Sequence, residues 1–378
     1  MMCITGNDIY NKVCSRLLPM LTVLLLAGCS ADEEANGIPA DEDVLELAVC
    51  THDMEEDSPT HAIPADDSPA FTRAIPTGYS VYPASGAKAE DVSHIGVFMT
   101  TDDMTSGPEL SNFIYSNINN KWNSLVSVKQ GIQYYIYGYM PSDKFTCEAQ
   151  KLSETQTFAD GVVLNFGKIL PVSQYDLCFV TGVQDMLSAD AEEDIPAGNF
   201  RYLGKSKEAK NRVRLRLDHL LAGACMEMKI DAEYAKLRDI RLKDVILKTS
   251  SNYAWSGKIT QRGTYTRVDW QVKETMTAKE KEGVSLFSDA DGVSLSTTPM
   301  VFYGYCIPEI YSTVVMKSRY DVYDKRGNLI RKDCIAENKL VFPSSMGRRT
   351  IFKMTVKPTY VYTLSDPDEE PPTIELEK

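Results

Sequence analysis

The residues best placed to do chemistry in this chain are few, and they lack the motifs that enzymes use. His219 follows Asp218 directly and could form an acid–base pair with it, but no nucleophile motif such as GxSxG accompanies the pair. The sequence contains no HExxH motif, Walker loop, GxGxxG turn or EF-hand loop. We therefore expect a protein that is not an enzyme and that binds no cofactor.

The cysteines also show no metal-binding spacing. The chain has nine, and none belongs to a CxxC pair, so neither a zinc site nor a thioredoxin-type redox site is predicted. Cys178, Cys225 and Cys306 lie within apolar runs, which is typical of small buried hydrophobic residues. Export would also permit disulfides, so the pairing of the cysteines that follow Cys29 stays open.

The N-terminal sequence predicts export and lipid attachment. A short basic region is followed by an apolar run at 17–27, which is too short to span a bilayer of about 30 Å. The run ends in Leu26-Ala27-Gly28-Cys29, which resembles the bacterial lipobox. We predict residues 1–28 as a lipoprotein signal peptide and Cys29 as the lipid-bearing residue. Because two or more acyl chains anchor a protein stably, the chain should lie on a membrane, outside the cytoplasm. The acidic stretch directly after Cys29 resembles the surface-export signal of Bacteroides lipoproteins, which implies the outer membrane, at the cell surface.

An acidic leader follows the lipid-bearing residue, and we assign it to residues 29–73. Residues 29–72 contain thirteen acidic residues and no Lys or Arg, so they account for a charge equal to the formal net charge of −13, and Arg73 is the first basic residue after Cys29. Its proline-rich parts predict an extended tether. Residues 44–49 differ, because Leu45, Leu47 and Val49 fall on one face of an extended segment, which predicts a short strand. The chain has no basic cluster, so nucleic acid is not an expected partner.

The rest of the chain has the pattern of an all-β protein with two β-sandwich domains in tandem. Short candidate strands are separated by Gly, Pro, Asn and Asp clusters at the spacing expected of transthyretin-like or Greek-key sandwiches. The strand pattern lapses between 188 and 211. We therefore assign an N-terminal sandwich to 74–205, a C-terminal sandwich to 206–365 and an acidic tail to 366–378.

Three local patterns in these domains are the clearest. Residues 212–217 alternate Arg with Val or Leu, which predicts a strand with one wet and one buried face at the start of the second sandwich. Gly327 lies in a polar segment at 324–328 between two candidate strands, which predicts a hairpin turn. Residues 231–239 form the one longer segment with a helical period.

Several of these pieces, in this order, resemble the fimbrillins of Bacteroides-type bacteria, the lipoprotein-derived subunits of type V pili. They are the lipobox signal, the acidic leader ending in Phe71-Thr72-Arg73-Ala74, the Tyr-rich strand at 134–141, the strand-His-Leu-Leu-Ala element at 215–222 and the closing segment at 357–366. The resemblance covers nearly the whole chain. It implies two β-sandwich domains, assembly with other fimbrial subunits and a packing role for His219.

The resemblance also implies how such a subunit would assemble. A trypsin-like extracellular protease would cut between Arg73 and Ala74 and so release the lipid together with the 44–49 strand. A sandwich that loses an edge strand exposes an apolar groove and unpaired backbone groups, which favours strand addition by another subunit. The C-terminal segment could donate this strand, since Ile374 and Leu376 alternate with glutamates; a frayed acidic tail is the alternative.

The sequence leaves three roles open. A stalk or tip subunit would be cleaved and lose its lipid, an anchor subunit would keep the lipid on Cys29, and a surface lipoprotein of another class would bind glycans. Arg73 favours a cleaved subunit. The Tyr-rich strand could stack on sugars, but Tyr also suits half-buried strand faces, so core packing is the favoured interpretation.

Overall fold

The computed structural model describes residues 42–56, 78–187, 195–308, 313–341, 345–358 and 373–376. These parts of the chain consist mainly of β-strands arranged in four sheets. The sheets pack as two pairs, and a cluster of buried apolar side chains lies within each pair. The predicted all-β sandwich fold is therefore confirmed. Within the described ranges, no helix is long and apolar enough to cross a membrane.

The first sandwich pairs a large sheet with a small one. The large sheet contains ten strands, β1 (Glu42–His52), β3 (Tyr79–Tyr82), β4 (Ile95–Thr100), β5 (Leu110–Ser116), β6 (Lys121–Asn123), β7 (Ser127–Lys129), β8 (Gln133–Met140), β12 (Cys178–Asp185), β13 (Arg201–Leu203) and β14 (Asn211–His219). Their order is β3-β1-β14-β12-β8-β4-β5-β6, while β7 also pairs with β1 and β13 with β8. The small sheet contains β9 (Cys147–Gln150), β10 (Val162–Ile169), β17 (Tyr253–Arg262) and β18 (Tyr265–Thr275), in the order β18-β17-β10-β9.

The second sandwich pairs a six-stranded sheet with a four-stranded one. The larger sheet contains β2 (Glu55–Glu56), β11 (Val172–Ser173), β15 (Ala222–Ile230), β20 (Met300–Cys306), β23 (Arg348–Lys357) and β24 (Thr373–Leu376). Its order is β11-β20-β15-β23-β2, and β24 also pairs with β23. The other sheet contains β16 (Arg238–Thr249), β19 (Val284–Ser294), β21 (Thr313–Asp324) and β22 (Leu329–Val341), in the order β19-β16-β21-β22. Among the described residues, the helical pieces are single turns at Ala89–Asp91, at α1 (Tyr234–Leu237) and at α2 (Ala278–Lys281).

The division between the sandwiches differs from the predicted boundary at 205/206. β14 was assigned to the second half, but it pairs with β1 and β12 in the large sheet of the first sandwich. The hairpin of β17 and β18 also belongs to the first sandwich, because β17 pairs with β10. Alternation in a strand specifies its buried face, whereas its partners lie far away in sequence and leave no local signal.

Smaller differences have local causes. The predicted helix at 231–239 is limited to α1, and strand β16 already begins at Arg238. Residues 121–129 form two short strands, because β6 pairs with β5 while β7 turns to pair with β1. The predicted hairpin turn is confirmed: Gly327 has a φ of +85° and its N–H donates to the carbonyl of Asp324.

Candidate functional site

Strand β1 comes from the acidic leader, and we call it the leader strand. It runs parallel to β14, with Leu45 opposite Asn211 and Thr51 opposite Leu217. On its other side it pairs antiparallel with β3 and with β7. The leader strand is therefore an inner strand of the large sheet and not an edge strand, because the chain after it folds back along it as β3.

The leader strand supplies part of the first core. Leu45, Leu47 and Val49 face this core, and only 1%, 8% and 3% of their surfaces are exposed. Burying one Leu side chain contributes about 1.5–3 kcal/mol, so these residues hold the strand firmly. Cys50 is buried as well, and its thiol donates to the carbonyl of Leu215 at 3.6 Å. Burial raises the pKa of the Cys50 thiol to about 11.

Basic residues of the body neutralise the acidic side chains of the leader strand. Glu46 accepts hydrogen bonds from the guanidinium of Arg212, one of them at 2.8 Å, and from Lys121 at 3.2 Å. Burial acts to raise the pKa of Glu46, but Arg212 and Lys121 outweigh it and lower the pKa. At the start of the strand, Glu42 forms an ion pair with Lys129 at 3.1 Å. The surface beside the leader strand is thus complementary to an acidic strand.

The C-terminal end of the leader strand contacts a largely buried polar centre around His219, the last residue of β14. The ring nitrogen Nε2 of His219 is hydrogen-bonded to the backbone carbonyl of His52. The other ring nitrogen, Nδ1, lies 2.5 Å from Oδ2 of Asp176 and 3.4 Å from Sγ of Cys178. Burial acts to lower the pKa of His219, but the hydrogen bonds to Asp176 and His52 and the charges of Asp176 and Asp218 raise it above its ordinary value.

Tyr79 of β3 covers the same end of the leader strand. Its hydroxyl donates to a carboxylate oxygen of Asp218. Its ring meets the ring of His52 edge-on at 4.8 Å, and the guanidinium of Arg216 lies 4.7 Å from its centroid. Burial and the negative charge of Asp218 raise the pKa of the Tyr79 hydroxyl. Side chains of β3 and β14 therefore converge on the last residue of the leader strand.

Beyond the leader strand the chain reaches the second sandwich. β2 runs parallel to β23, with Glu55 opposite Arg348. A Cβ at Gly223 would lie 2.8 Å from the sulfur of Met54, so glycine leaves room for this crossing. Residues 42–56 therefore contact both sandwiches.

The C-terminal strand β24 lies on the second sandwich of its own chain. It runs antiparallel to β23, with Ile374 opposite Val356. Ile374 is buried in the second core, and its carbonyl accepts a hydrogen bond from the amide of Asn338 at 2.7 Å. Leu376 is 42% exposed. The segment thus forms a strand with one core-facing residue.

The structure places some of the sequence-predicted site residues and not others. Leu45, Leu47 and Val49 lie together on the core face of the leader strand. Ile374 and Leu376 lie on β24, in the other sandwich, so the two sets are not brought together. The predicted lipidation residue Cys29 and the predicted processing site Arg73-Ala74 fall outside the described residues.

Sequence reasoning missed the surroundings of His219. It paired His219 with its neighbour Asp218, whereas the structure pairs it with Asp176 and pairs Asp218 with Tyr79. Asp176 lies 43 residues before His219, and no local pattern links the two positions. The resemblance implied a packing role for His219, but the residue is a hydrogen-bonded contact to the leader.

Two predictions about packing are confirmed. Tyr135, Tyr137 and Tyr139 of the Tyr-rich strand β8 are almost fully buried, so they belong to the core. The cysteines at 178, 225 and 306, which were predicted to be buried, are buried.

Comparison with known proteins gives structural matches only. No protein-family model matches the chain, and no curated protein sequence matches it. A suggested cell adhesion protein from Bacteroides fragilis matches with a TM-score of 0.41 at 10% identity, over 88% of this chain and 97% of that one. The fimbrial anchor protein Mfa2 from Porphyromonas gingivalis matches with a TM-score of 0.27 at 13% identity, over 87% of this chain and 95% of that one. A fimbrial protein from Bacteroides ovatus matches with a TM-score of 0.32 at 10% identity, over 83% of this chain and 49% of that one.

Two of these three proteins are named as fimbrial, and the third is named for cell adhesion. Their similarity to this chain is too low to transfer the role of any one of them.

Proposed function

We propose that this chain is a structural or adhesive subunit of a cell-surface fimbria, exported as a lipoprotein and assembled by exchange of its leader strand. The lipid on Cys29 holds the precursor on the outer membrane. A trypsin-like extracellular protease then cuts between Arg73 and Ala74. Another fimbrial subunit supplies the strand that replaces the leader strand, and the protein performs no catalysis.

The position of the leader strand carries this proposal. The strand lies inside the first sheet and in its core, yet the chain joins it to the rest of the sandwich only through residues 53–78. A single cut after Arg73 would leave the strand held by noncovalent contacts alone. Its departure would expose the apolar groove beneath it and the backbone groups of β14, which together suit one extended strand.

The charges beside the leader strand indicate what kind of strand fits. Arg212, Lys121 and Lys129 contact the acidic residues of the leader strand. A replacement strand should therefore alternate apolar residues with acidic ones. The C-terminal segment 373–378 of a second subunit has this pattern.

The processing step is tested on cells that display the protein. Surface proteolysis of the wild type should yield a heat-labile ladder of polymers on a denaturing gel and a subunit that begins at Ala74. Arg73→Gln should give monomer only, and the matched variant Lys88→Gln, at the next basic residue along the chain, should behave as the wild type. A ladder of equal strength from Arg73→Gln rules the processing step out.

Lipid attachment is tested separately. Metabolic labelling with radioactive palmitate should mark the wild type, and Cys29→Ser should abolish the label and release the protein from the membrane fraction. Cys50→Ser keeps Cys29 and should retain the label. An unlabelled wild type contradicts the lipoprotein step without touching the strand-exchange step.

A second role, a subunit at the end of the fibre such as an anchor, is favoured by strand β24. β24 lies on β23 of its own chain with Ile374 buried, so here it occupies a place in its own sandwich. A terminal subunit accepts a strand or holds the membrane without donating a strand onward. Purified fibres decide between the roles, because an anchor occurs once per fibre and retains the Cys29 lipid.

A further inference from the structure

The polar centre around His219 must hold a proton between the imidazole ring and the carboxylate of Asp176. A backbone carbonyl can only accept a hydrogen bond, so Nε2 of His219 must donate to the carbonyl of His52. Nδ1 then either carries a second proton or directs a lone pair at the carboxylate of Asp176, 2.5 Å away. A lone pair facing an unprotonated carboxylate would place two electron-rich atoms in contact with nothing between them, so a proton must lie there. Because an imidazole is ordinarily more basic than a carboxylate, this proton resides on the ring.

A proton fits this centre better than a metal ion does. Asp176, Cys178 and His219 offer ligand atoms within 4.8 Å of one another, the one such group of three in the described part of the chain. The separation of 2.5 Å between Nδ1 and the carboxylate is a hydrogen-bond distance, and a zinc ion about 2.0–2.1 Å from each atom would hold them farther apart. Burial also raises the pKa of the Cys178 thiol, so the sulfur is not a ready thiolate ligand.

Groups from six parts of the fold surround the His219 ring and its hydrogen-bond partners. The titratable and charged groups are Asp176 before β12, Cys178 on β12, Asp218 and Arg216 on β14, His52 on the leader strand, Tyr79 on β3 and Tyr305 on β20. Two carboxylates therefore stand near one imidazole. Arg216 lies over the ring of Tyr79, and its Nε is 3.8 Å from a carboxylate oxygen of Asp218.

We propose that the doubly protonated imidazole of His219 is a pH-dependent latch that holds the C-terminal end of the leader strand. As an imidazolium, His219 donates to Asp176 and to the carbonyl of His52 at the same time, and so joins the leader strand to β14 and to the loop before β12. The neutral ring has a single N–H and must give up one of these two hydrogen bonds. Loss of the proton therefore loosens the leader strand.

The direction of the pH dependence follows from proton linkage. In the opened form His219 should titrate near its ordinary value of about 6.5. In the closed form its pKa is higher. The latch is therefore fully effective below about pH 6.5, and opening should increase by up to about tenfold per pH unit until the pH passes the closed-form pKa.

Alkylation of Cys50 in the intact, uncut chain measures this opening. Cys50 lies on the leader strand and is 1% exposed, so iodoacetamide reaches it only when the strand opens. Rates are read by peptide mass spectrometry between pH 6 and pH 9, and the wild-type rate is divided by the rate for His219→Gln at each pH. The division cancels the intrinsic pH dependence of thiol chemistry. Cys306, buried in the second sandwich, reports opening that extends beyond the first sandwich in the same sample.

The wild type should label about tenfold or more slowly than His219→Gln at pH 6, and the ratio should approach one as the pH rises. The control His94→Gln should follow the wild type. A ratio that does not change with pH overturns the latch. Loss of Cys50 protection in the wild type on addition of a chelator also overturns it, because a metal ion would then bridge His219 and Asp176 in place of the proton. If Cys306 is labelled as fast as Cys50 in His219→Gln, that variant has unfolded more widely, and Asp176→Asn is used instead. In Asp176→Asn the rise of Cys50 labelling should occur at lower pH than in the wild type. A rise at the same pH as in the wild type overturns the proposal.

The latch controls release of the leader strand, so its biological role rests on the proposed function. The latch and the proposed function can nevertheless be disproved separately. Labelling of Cys50 requires no cleavage and no second subunit. If the protein is cut after Arg73 and forms polymers but the ratio of labelling rates does not change with pH, only the latch is disproved. If the ratio of labelling rates changes with pH but the protein is never cut, only the processing step is disproved.

Discussion

The attachment of the leader strand to the first core depends most directly on the side chains of Leu45, Leu47 and Val49. Leu47→Ala should lower the free energy of unfolding by about 2–5 kcal/mol, because it leaves a cavity in the first core. Val81→Ala on β3, where 55% of the side chain is exposed, should change it by less than about 0.5 kcal/mol. Urea unfolding of both variants measures the difference. Equal, small losses would mean that the leader strand adds little to the core.

Glu46 gives the leader strand a dependence on acid. Its pKa is lowered in the folded chain by Arg212 and Lys121, so its contribution is present above its ordinary pKa of about 4.5 and is lost as the pH falls through the lowered value. Below about pH 4.5 the free energy of unfolding of the wild type, measured by urea unfolding, should therefore fall toward that of Glu46→Gln as the pH decreases.

Glu55→Gln is the matched control for this acid effect. Glu55 is exposed, and its closest ion-pair distance, to Arg348, is 4.0 Å. A pair of this kind contributes about 0–1 kcal/mol, so the substitution should leave the acid response as in the wild type. If Glu46→Gln still shows the acid response, other carboxylates cause it.

At the scale of single elements, β24 is tested by a pair of substitutions on one short strand. Ile374→Asp should destabilise the second sandwich, because it places a charge against the buried core beside Val356. Leu376→Asp, at the exposed position two residues later, should have little effect. Cys306 alkylation reads the opening of this sandwich. Equal effects of the two changes would mean that β24 does not lie on its own domain.

The elements also show how far sequence reasoning reaches. The alternation in β1 and β14, the hairpin turn at Gly327 and the burial of the Tyr-rich strand were predictable, since each depends on residues within one segment. The neighbours of β14 were not, because parallel pairing with β1 joins residues 166 positions apart, as in Leu47 and Val213. The contact of His219 with His52 depends on that same pairing.

At the scale of the whole molecule, residues 42–56 connect the two sandwiches. The leader strand lies in the large sheet of the first, and β2 lies beside β23 of the second. Removal of the leader should therefore weaken the coupling between the two sandwiches as well as the first core. To test this, the protein is cut after Arg73 and its leader is removed in mild denaturant. Calorimetry should then show two unfolding transitions, whereas the uncut chain should show one.

The exchange of the leader strand is the central claim, and one measurement tests it most directly. The protein is cut after Arg73, mixed with an excess of a fluorescent peptide of residues 42–56, and separated by size exclusion. We predict that the cut protein binds one peptide per chain and loses its own leader fragment, while the uncut chain and protease-treated Arg73→Gln bind none. A cut protein that keeps its leader fragment and excludes the peptide, or an uncut chain that binds it equally well, would contradict the account.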